Sequence, residues 1–339
     1  MLALAVFLLA VPLFALLGVY ADRKISAFVQ DRIGPNEVGP AGLLQTGADI
    51  LKLLMKEDVI PAAADKPMFR LAPAILFASV FAGFAVIPLS ADVIGSTAPE
   101  GVFYLLGIVA LEVMGILMAG WASNNKFALL GSIRSIAQVV SYEIPLGLSV
   151  LAVVMANGSM NLSEVAAAQK SSLGIVGWNI LSYPFLIPAF VIYFLASLAE
   201  CNRGPFDLPE AESELVGGFH TEYSGLRWAF LFLAEYGMML LTSLLATILF
   251  LGAWHSPLPN VGPVALSDWT SGGGQGWYQA LWGAFWLLSK TVGLVFIQIM
   301  ARWTYPRLRA DQLMNLCWKV LTPIALLVLV LAGLWKVWL

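Results

Sequence analysis

Charge is scarce in this chain of 339 residues: Asp, Glu, Lys and Arg supply 12% of it, about half the share of an ordinary soluble domain. The formal net charge of −3 is dispersed and no block of five or more Lys and Arg occurs, which excludes nucleic-acid binding. Cysteine is nearly missing too. Cys201 and Cys317 form no CxxC spacing, so the chain cannot by itself hold an iron–sulfur cluster or a Cys-rich zinc site. Any redox metal therefore belongs to a partner. No basic segment precedes the first apolar run; Arg23 and Lys24 follow it. Residues 2–20 thus read as a first transmembrane helix with its N-terminus outside, not as a cleaved signal peptide. Two-residue alternation is absent from the apolar runs, which excludes a membrane β-barrel.

What is abundant is apolar sequence, at 60% of residues. A backbone in hydrocarbon must satisfy its own hydrogen bonds, so such runs have to be helices. The reading is an all-α integral membrane protein, one polytopic domain over residues 1–339. Windows of about 20 apolar residues fall near 2–28, 70–90, 101–123, 133–156, 178–199, 226–252, 278–303 and 313–336, giving eight transmembrane helices. Most of the 18 basic residues gather on one set of loops and adjoining helix ends, from Arg23 and Lys24 through Lys126 and Arg203 to Arg307 and Arg309. By the positive-inside rule those loops are cytoplasmic and both termini lie on the periplasmic or exterior side.

The first cytoplasmic segment is long. Over residues 41–57, Leu43, Leu44, Ala48, Leu51, Leu54 and Met55 recur at three- and four-residue steps, with Asp49, Lys52 and Lys56 between them. This predicts an amphipathic helix on the cytoplasmic membrane surface. Periodicity alone leaves a functional lid and a plain packed helix equally open. The glycines at 272–274 and 276 follow no strand, so they read as a flexible external connector and not a dinucleotide fingerprint. No internal repeat of the transporter kind is visible.

Carboxylates inside spanning helices cost about 2.5–3.5 kcal/mol each on insertion scales unless they line a wet or paired interior. Glu112, Glu143 and Glu235 each sit about ten residues into a predicted helix, and Glu200 lies near the cytoplasmic end of another. Either they glue helices together, pairing with the mid-helix Lys290 or bonding neighbours such as Tyr142 and Tyr236, or they form a proton relay. The cytoplasmic loop 200–225 is dense in acids: Asp207, Glu210, Glu212, Glu214 and Glu222 follow Glu200. Asp207, Pro209 and Glu210 fit a helix start, with a capping side chain, a first-turn Pro and acids complementing the dipole. Glu212, Glu214 and Glu222 exceed what a cap needs, which leaves a charge-coupled switch loop as the second reading.

Several motifs in order complete the picture: Asp22-Arg23-Lys24 with Gln30-Asp31-Arg32-Ile33-Gly34-Pro35-Asn36; Gly42-Leu43-Leu44-Gln45; Gly120-Trp121-Ala122-Ser123-Asn124-Asn125-Lys126; Arg134-Ser135-Ile136-Ala137-Gln138 with Ser141-Tyr142-Glu143. The acidic loop, Ala234-Glu235-Tyr236 and the run Arg302 to Met314 follow. Together they resemble the family of the quinone-site membrane subunit of respiratory complex I, the NADH:quinone oxidoreductase, over essentially the whole chain.

The resemblance implies eight transmembrane helices plus a surface helix, where the membrane arm meets the hydrophilic arm, forming the entrance of a quinone chamber. It implies that Glu143, Glu200, Glu235, Asp207, Glu210, Glu212 and Glu214 carry the acidic path from the chamber into the membrane. Arg32 and Arg203 match basic positions near the chamber, and Asp49 and Lys52 fall on the entrance helix. The chain would carry no metal or redox cofactor. Iron–sulfur clusters and FMN would sit in soluble partner subunits, and antiporter-like subunits would neighbour it in the cell inner membrane. Asp22 stands where the family commonly has Glu, Ala310 stands where an aromatic is common, and Glu112 matches no acidic position of most of the family. Two rivals remain, the related subunit of membrane-bound hydrogenases and a stand-alone ion-coupled transporter.

Overall fold

The computed structural model describes residues 2–91, 93–96, 98–208, 212–260, 266–272 and 277–338. Their regular structure is entirely helical. Along the chain lie α1 (Leu2–Val29), α2 (Gln45–Met55), α3 (Lys66–Gly83), α4 (Gly101–Val109), α5 (Leu111–Ala122) and α6 (Lys126–Asn157). Then come α7 (Leu162–Ala168), α8 (Asn179–Ser182), α9 (Leu186–Glu200), α10 (Glu212–Leu215) and α11 (Gly225–Phe250). Last are α12 (Leu266–Thr270), α13 (Trp277–Thr304), α14 (Ala310–Leu316) and α15 (Thr322–Trp338). Among the described residues six stretches are long and apolar enough to cross a membrane: Lys66–Val86, Gly101–Ala122, Lys126–Asn157, Gly225–Phe250, Tyr278–Thr304 and Ala310–Trp338.

One expected span is not continuous. The apolar window 178–199 predicts a single helix, yet α8 and α9 are separated at Tyr183, which is extended. Pro184 has no N–H to donate and disfavours helical backbone at the residue before it. What remains, α9, has 15 residues, about 22 Å at 1.5 Å per residue. Another boundary differs: α6 begins at Lys126, not 133, because the Asn125 side chain accepts from the Phe127 N–H at 2.9 Å. It ends at Gly158, whose left-handed φ of 76° closes the helix. The glycine connector at 273–276 lies outside the described residues.

Interior prolines cost a membrane helix one backbone bond each, and at two of them, Pro73 and Pro145, a side chain from elsewhere in the fold takes the freed carbonyl. Pro73 cannot donate to Phe69, and the Phe69 carbonyl instead accepts from the Tyr223 hydroxyl at 3.2 Å. Pro145 leaves the Ser141 carbonyl open, and it accepts from Cys317 Sγ at 3.0 Å. Cys317 belongs to a π-helical turn, Cys317–Leu321, that joins α14 to α15 just before Pro323.

Two helices organise the bundle. α11 packs on α1, α2, α3, α9 and α13, and α6 packs on α5, α9 and α15. The most apolar window of α11 is 78% buried, against 22% for the last helical stretch, so α11 is the interior column and the C-terminal helix faces outward. Small residues permit the close crossings, as membrane packing requires: a Cβ on Gly115 of α5 would sit 2.8 Å from Leu76 Cβ of α3.

Candidate functional site

Three elements enclose a cavity of about 360 Å³: the middle of α1, the inner face of α2 and the first turns of α11. Its wall is mostly apolar, with Leu16, Val19, Leu53, Phe230 and Phe232 among its residues. α2 turns Ile50, Leu53 and Thr46 towards it, and the buried Thr46 hydroxyl has no partner. Leu51 and Leu54 point away and are more than half exposed. Charge sits only at the rim, where Arg23 donates to Asp49 at 2.6 Å and Lys52 lies 3.6 Å from the same carboxylate.

Behind the cavity lies a buried ion cluster, reached through the contact of the Phe232 and Tyr236 rings, 4.9 Å between centroids. Asp22 Oδ2 accepts from Arg203 at 3.2 Å, Arg302 at 3.1 Å and the Tyr236 hydroxyl at 3.2 Å, while Oδ1 accepts from Trp303 Nε1 at 2.9 Å. Thus α1, α11, α13 and the loop after α9 meet on one aspartate. The Arg203 guanidinium lies 4.4 Å over the Tyr236 ring. Burial works against its charge, but Tyr236, Asp22 and Glu235 outweigh that and hold it firmly protonated.

Beyond this cluster the structure brings four carboxylates together. Glu112 at the start of α5 is buried and within electrostatic reach of Glu200, Glu235 and Glu143. Glu200 borders a small void of about 10 Å³ with Tyr193 and Thr242, on the order of the space one water requires. With its proton on Nε2, His220 donates to Glu235 Oε1 across 2.9 Å. Glu143 lies seventeen residues into α6, not ten, because the Asn125 cap starts that helix earlier. Gln138, five residues before it, donates to the Ala199 and Phe206 carbonyls at 2.7 Å each and so clamps the end of α9 and its loop.

The acidic loop is compensated from afar. Asp207 pairs with Arg307 at 3.0 Å, and Glu214 with Arg134 at 2.6 Å. The Arg134 hydrogen bond and charge hold the exposed Glu214 carboxyl below its usual range. The helix start expected at Asp207, Pro209 and Glu210 falls partly on residues outside those described; the first described helical residue of this loop is Glu212. Pro209, Glu210 and the side chain of Glu212 lie outside what the structure describes.

The four residues matched to a quinone site therefore separate. Asp49 and Lys52 border the cavity and Arg203 lies in the cluster behind it. Arg32 is exposed beyond the end of α1, 3.5 Å from Ser26 Oγ. Lys290 does not pair with a mid-helix glutamate. Its Nζ donates to the carbonyls of Leu251, Ala253 and His255 at 2.7–2.9 Å and lies 4.2 Å from the Trp178 ring, sealing the end of α11. Sequence reasoning missed His220 and the convergence of Arg203, Arg302 and Trp303 on Asp22, whose only signal was the placing of charge at helix ends. Among the described residues no group of His, Cys, Asp and Glu is arranged to hold a metal ion.

Comparison with known proteins identifies the family. The family model described as NADH dehydrogenase matches residues 2–333. The NADH-quinone oxidoreductase H subunit 2 of Cytophaga hutchinsonii is 53% identical, over 96% of this chain and 96% of that protein. The NADH-quinone oxidoreductase H subunit of Chlorobium luteolum is 52% identical, covering 98% of this chain and 88% of its own, and that of Geobacillus kaustophilus is 49% identical, covering 99% and 93%.

Proposed function

Because this chain belongs to the NADH dehydrogenase family, we propose that it walls the quinone entrance of an NADH-quinone oxidoreductase and couples quinone reduction to proton movement. The observation that carries this reading is the apolar cavity between α1, α2 and α11, with charge only at its rim and the buried carboxylates inward of it. A quinone is a flat polar head on an apolar tail, and a mostly apolar channel with a few polar groups suits it.

The chain's own residues have distinct parts in this reading. The inner face of α2 and the Phe230 and Phe232 rings guide the tail, while Asp49, Lys52 and Arg23 meet the head at the mouth. Asp22, Arg203, Arg302 and Tyr236 link cavity to carboxylates, because Tyr236 packs on the cavity-lining Phe232 while Arg203, held by Asp22, is within electrostatic reach of Glu235. Glu235, Glu112, Glu200 and Glu143 then exchange protons towards the membrane interior, with Asp207, Glu210, Glu212 and Glu214 setting the charge at the entrance of that path. Arg32 lies on the surface and is assigned to partner contact. Iron–sulfur clusters and FMN belong to the partner subunits and supply the electron transfer.

The full topology in this proposal is eight spans in one domain of the cell inner membrane. α1 and the broken α8–α9 segment join the six long apolar stretches, the acidic loop and α2 are cytoplasmic, and both termini are periplasmic. Soluble subunits dock on the cytoplasmic side and antiporter-like subunits within the membrane. Full-length similarity to subunits of a quinone-reducing enzyme favours this over the hydrogenase-type subunit and the lone transporter.

The test uses the assembled complex carrying Leu53→Trp or Ile50→Trp. NADH:quinone turnover should fall about tenfold or more, as steric misplacement does in a shaped site, while NADH oxidation by an acceptor that draws electrons upstream of the quinone is unchanged. Leu51→Trp, on the outward face, should leave both activities intact. Wild-type quinone turnover in an assembled Leu53→Trp complex contradicts the reading.

A further inference from the structure

We propose that His220 is the positioning residue for Glu235, holding its carboxylate towards the buried acids and away from Arg203; this rests on the coupling role given to Glu235 above. Glu235 and Tyr236 are consecutive on α11, so their side chains leave the helix about 100° apart. Tyr236 turns to the Asp22 cluster, and Glu235 turns to His220. Arg203 is nonetheless close enough for the two charges to interact, and its Nε and Nη2 are buried without a hydrogen-bond partner. A buried guanidinium with open donors is a strong competitor for a nearby carboxylate, since charge-assisted bonds are the stronger kind. His220, 2.9 Å from Glu235 Oε1, opposes this.

The loop is built to keep His220 there. Gly218, two residues earlier, has φ of 56° and sits against Gly131 of α6, where a Cβ on Gly131 would fall 2.7 Å from Gly218 Cα. Two residues later, Glu222 accepts from Asn125 at 2.6 Å. The imidazole also lies 4.0 Å from the Phe219 ring, centroid to centroid. The histidine is therefore fixed to the cytoplasmic end of α6, and the carboxylate it holds belongs to α11. A movement of the acid-rich loop would pass directly to Glu235 through this hydrogen bond.

The test places His220→Leu, His220→Gln and His220→Asn in the intact complex, each alone and with Glu235→Gln, with assembly followed on native gels. Gln carries an amide N–H to about the reach of Nε2; Asn is too short. The expected result for His220→Leu and His220→Asn is a fall in kcat of about tenfold for quinone reduction with KM unchanged, the mark of an interaction lost from the rate-determining step alone. His220→Gln should recover to within about threefold of wild type. In the Glu235→Gln background none of the three should lower turnover further, because the histidine acts through that carboxylate. Wild-type kcat in His220→Leu, or equal losses in the Gln and Asn variants, overturns the inference, and the Gln and Asn pair decides if the Leu variant fails to assemble. A further loss in the Glu235→Gln background overturns it as well. If Glu235→Gln alone turns over normally, the coupling role of Glu235 falls and this inference with it; if Glu235→Gln is impaired and His220→Leu is not, only the inference falls.

Discussion

Asp22 and Arg203 are 181 residues apart in sequence and 3.2 Å apart in the fold, both buried and both facing Tyr236. Arg302 joins the same carboxylate, so two guanidinium groups depend on one aspartate. Neutralising it leaves both without their counter-charge in a medium that solvates them poorly, and removing one partner from a buried ionic group costs about 3–5 kcal/mol. Asp22→Asn should therefore lower the melting temperature of the detergent-solubilised complex and the amount assembled in membranes. Asp22→Glu, which keeps the negative charge, should retain assembly. A native-gel comparison of the two variants with wild type checks this.

The loop beyond α11 makes a pH prediction. Burial, with help from the charges of Lys290 and Lys170, lowers the His255 pKa to about 4. Its Nε2 faces the Ala166 carbonyl and must donate, so Nδ1 accepts from Ser271, which fixes the neutral ring. Because the folded pKa lies below the unfolded value near 6.5, the unfolded chain takes up the proton first as pH falls. The contribution of His255 is complete above about pH 6.5 and is lost between there and about pH 4, by roughly 3 kcal/mol. Melting temperature should drop over that window in wild type and drop less in His255→Gln, measured by thermal denaturation from about pH 7.5 to about pH 4.5.

Lys290 supports a structural prediction. Three carbonyls at the end of α11 share one ammonium, which answers both the orphan acceptors of a helix terminus and its negative dipole end. Lys290→Met keeps the apolar stem and removes the donors, and should destabilise the complex by about 2 kcal/mol or more. Lowered melting temperature with unchanged turnover per assembled complex is expected. A loss of turnover at full assembly would instead give Lys290 a part in the chemistry.

The sequence carried the helices because bilayer thickness and backbone hydrogen bonding leave an apolar run few options. It failed where local chemistry overrode the apolar average: at Pro184, which breaks the fifth window, and at Asn125, which starts α6 seven residues early. The acids within spans were legible as costly groups. Their meeting was not, because Glu112, Glu143, Glu200 and Glu235 come from four helices and only packing brings them into mutual reach. The partners of Asp22 and the pairs Arg134–Glu214 and Arg307–Asp207 span 80 to 281 residues, distances at which charge patterning says nothing. His220 is one of two histidines and stood in no motif pattern that singled it out.

Assembled complex carrying both Glu143→Gln and Glu235→Gln, reconstituted in vesicles, tests the coupling claim most directly. Gln keeps the size and hydrogen bonding of Glu but cannot exchange a proton, and neutral amides bridge membrane helices adequately. NADH:quinone turnover and proton uptake should fall together, with native-gel assembly and upstream acceptor activity intact. Wild-type turnover and proton uptake in that assembled double variant would contradict the account.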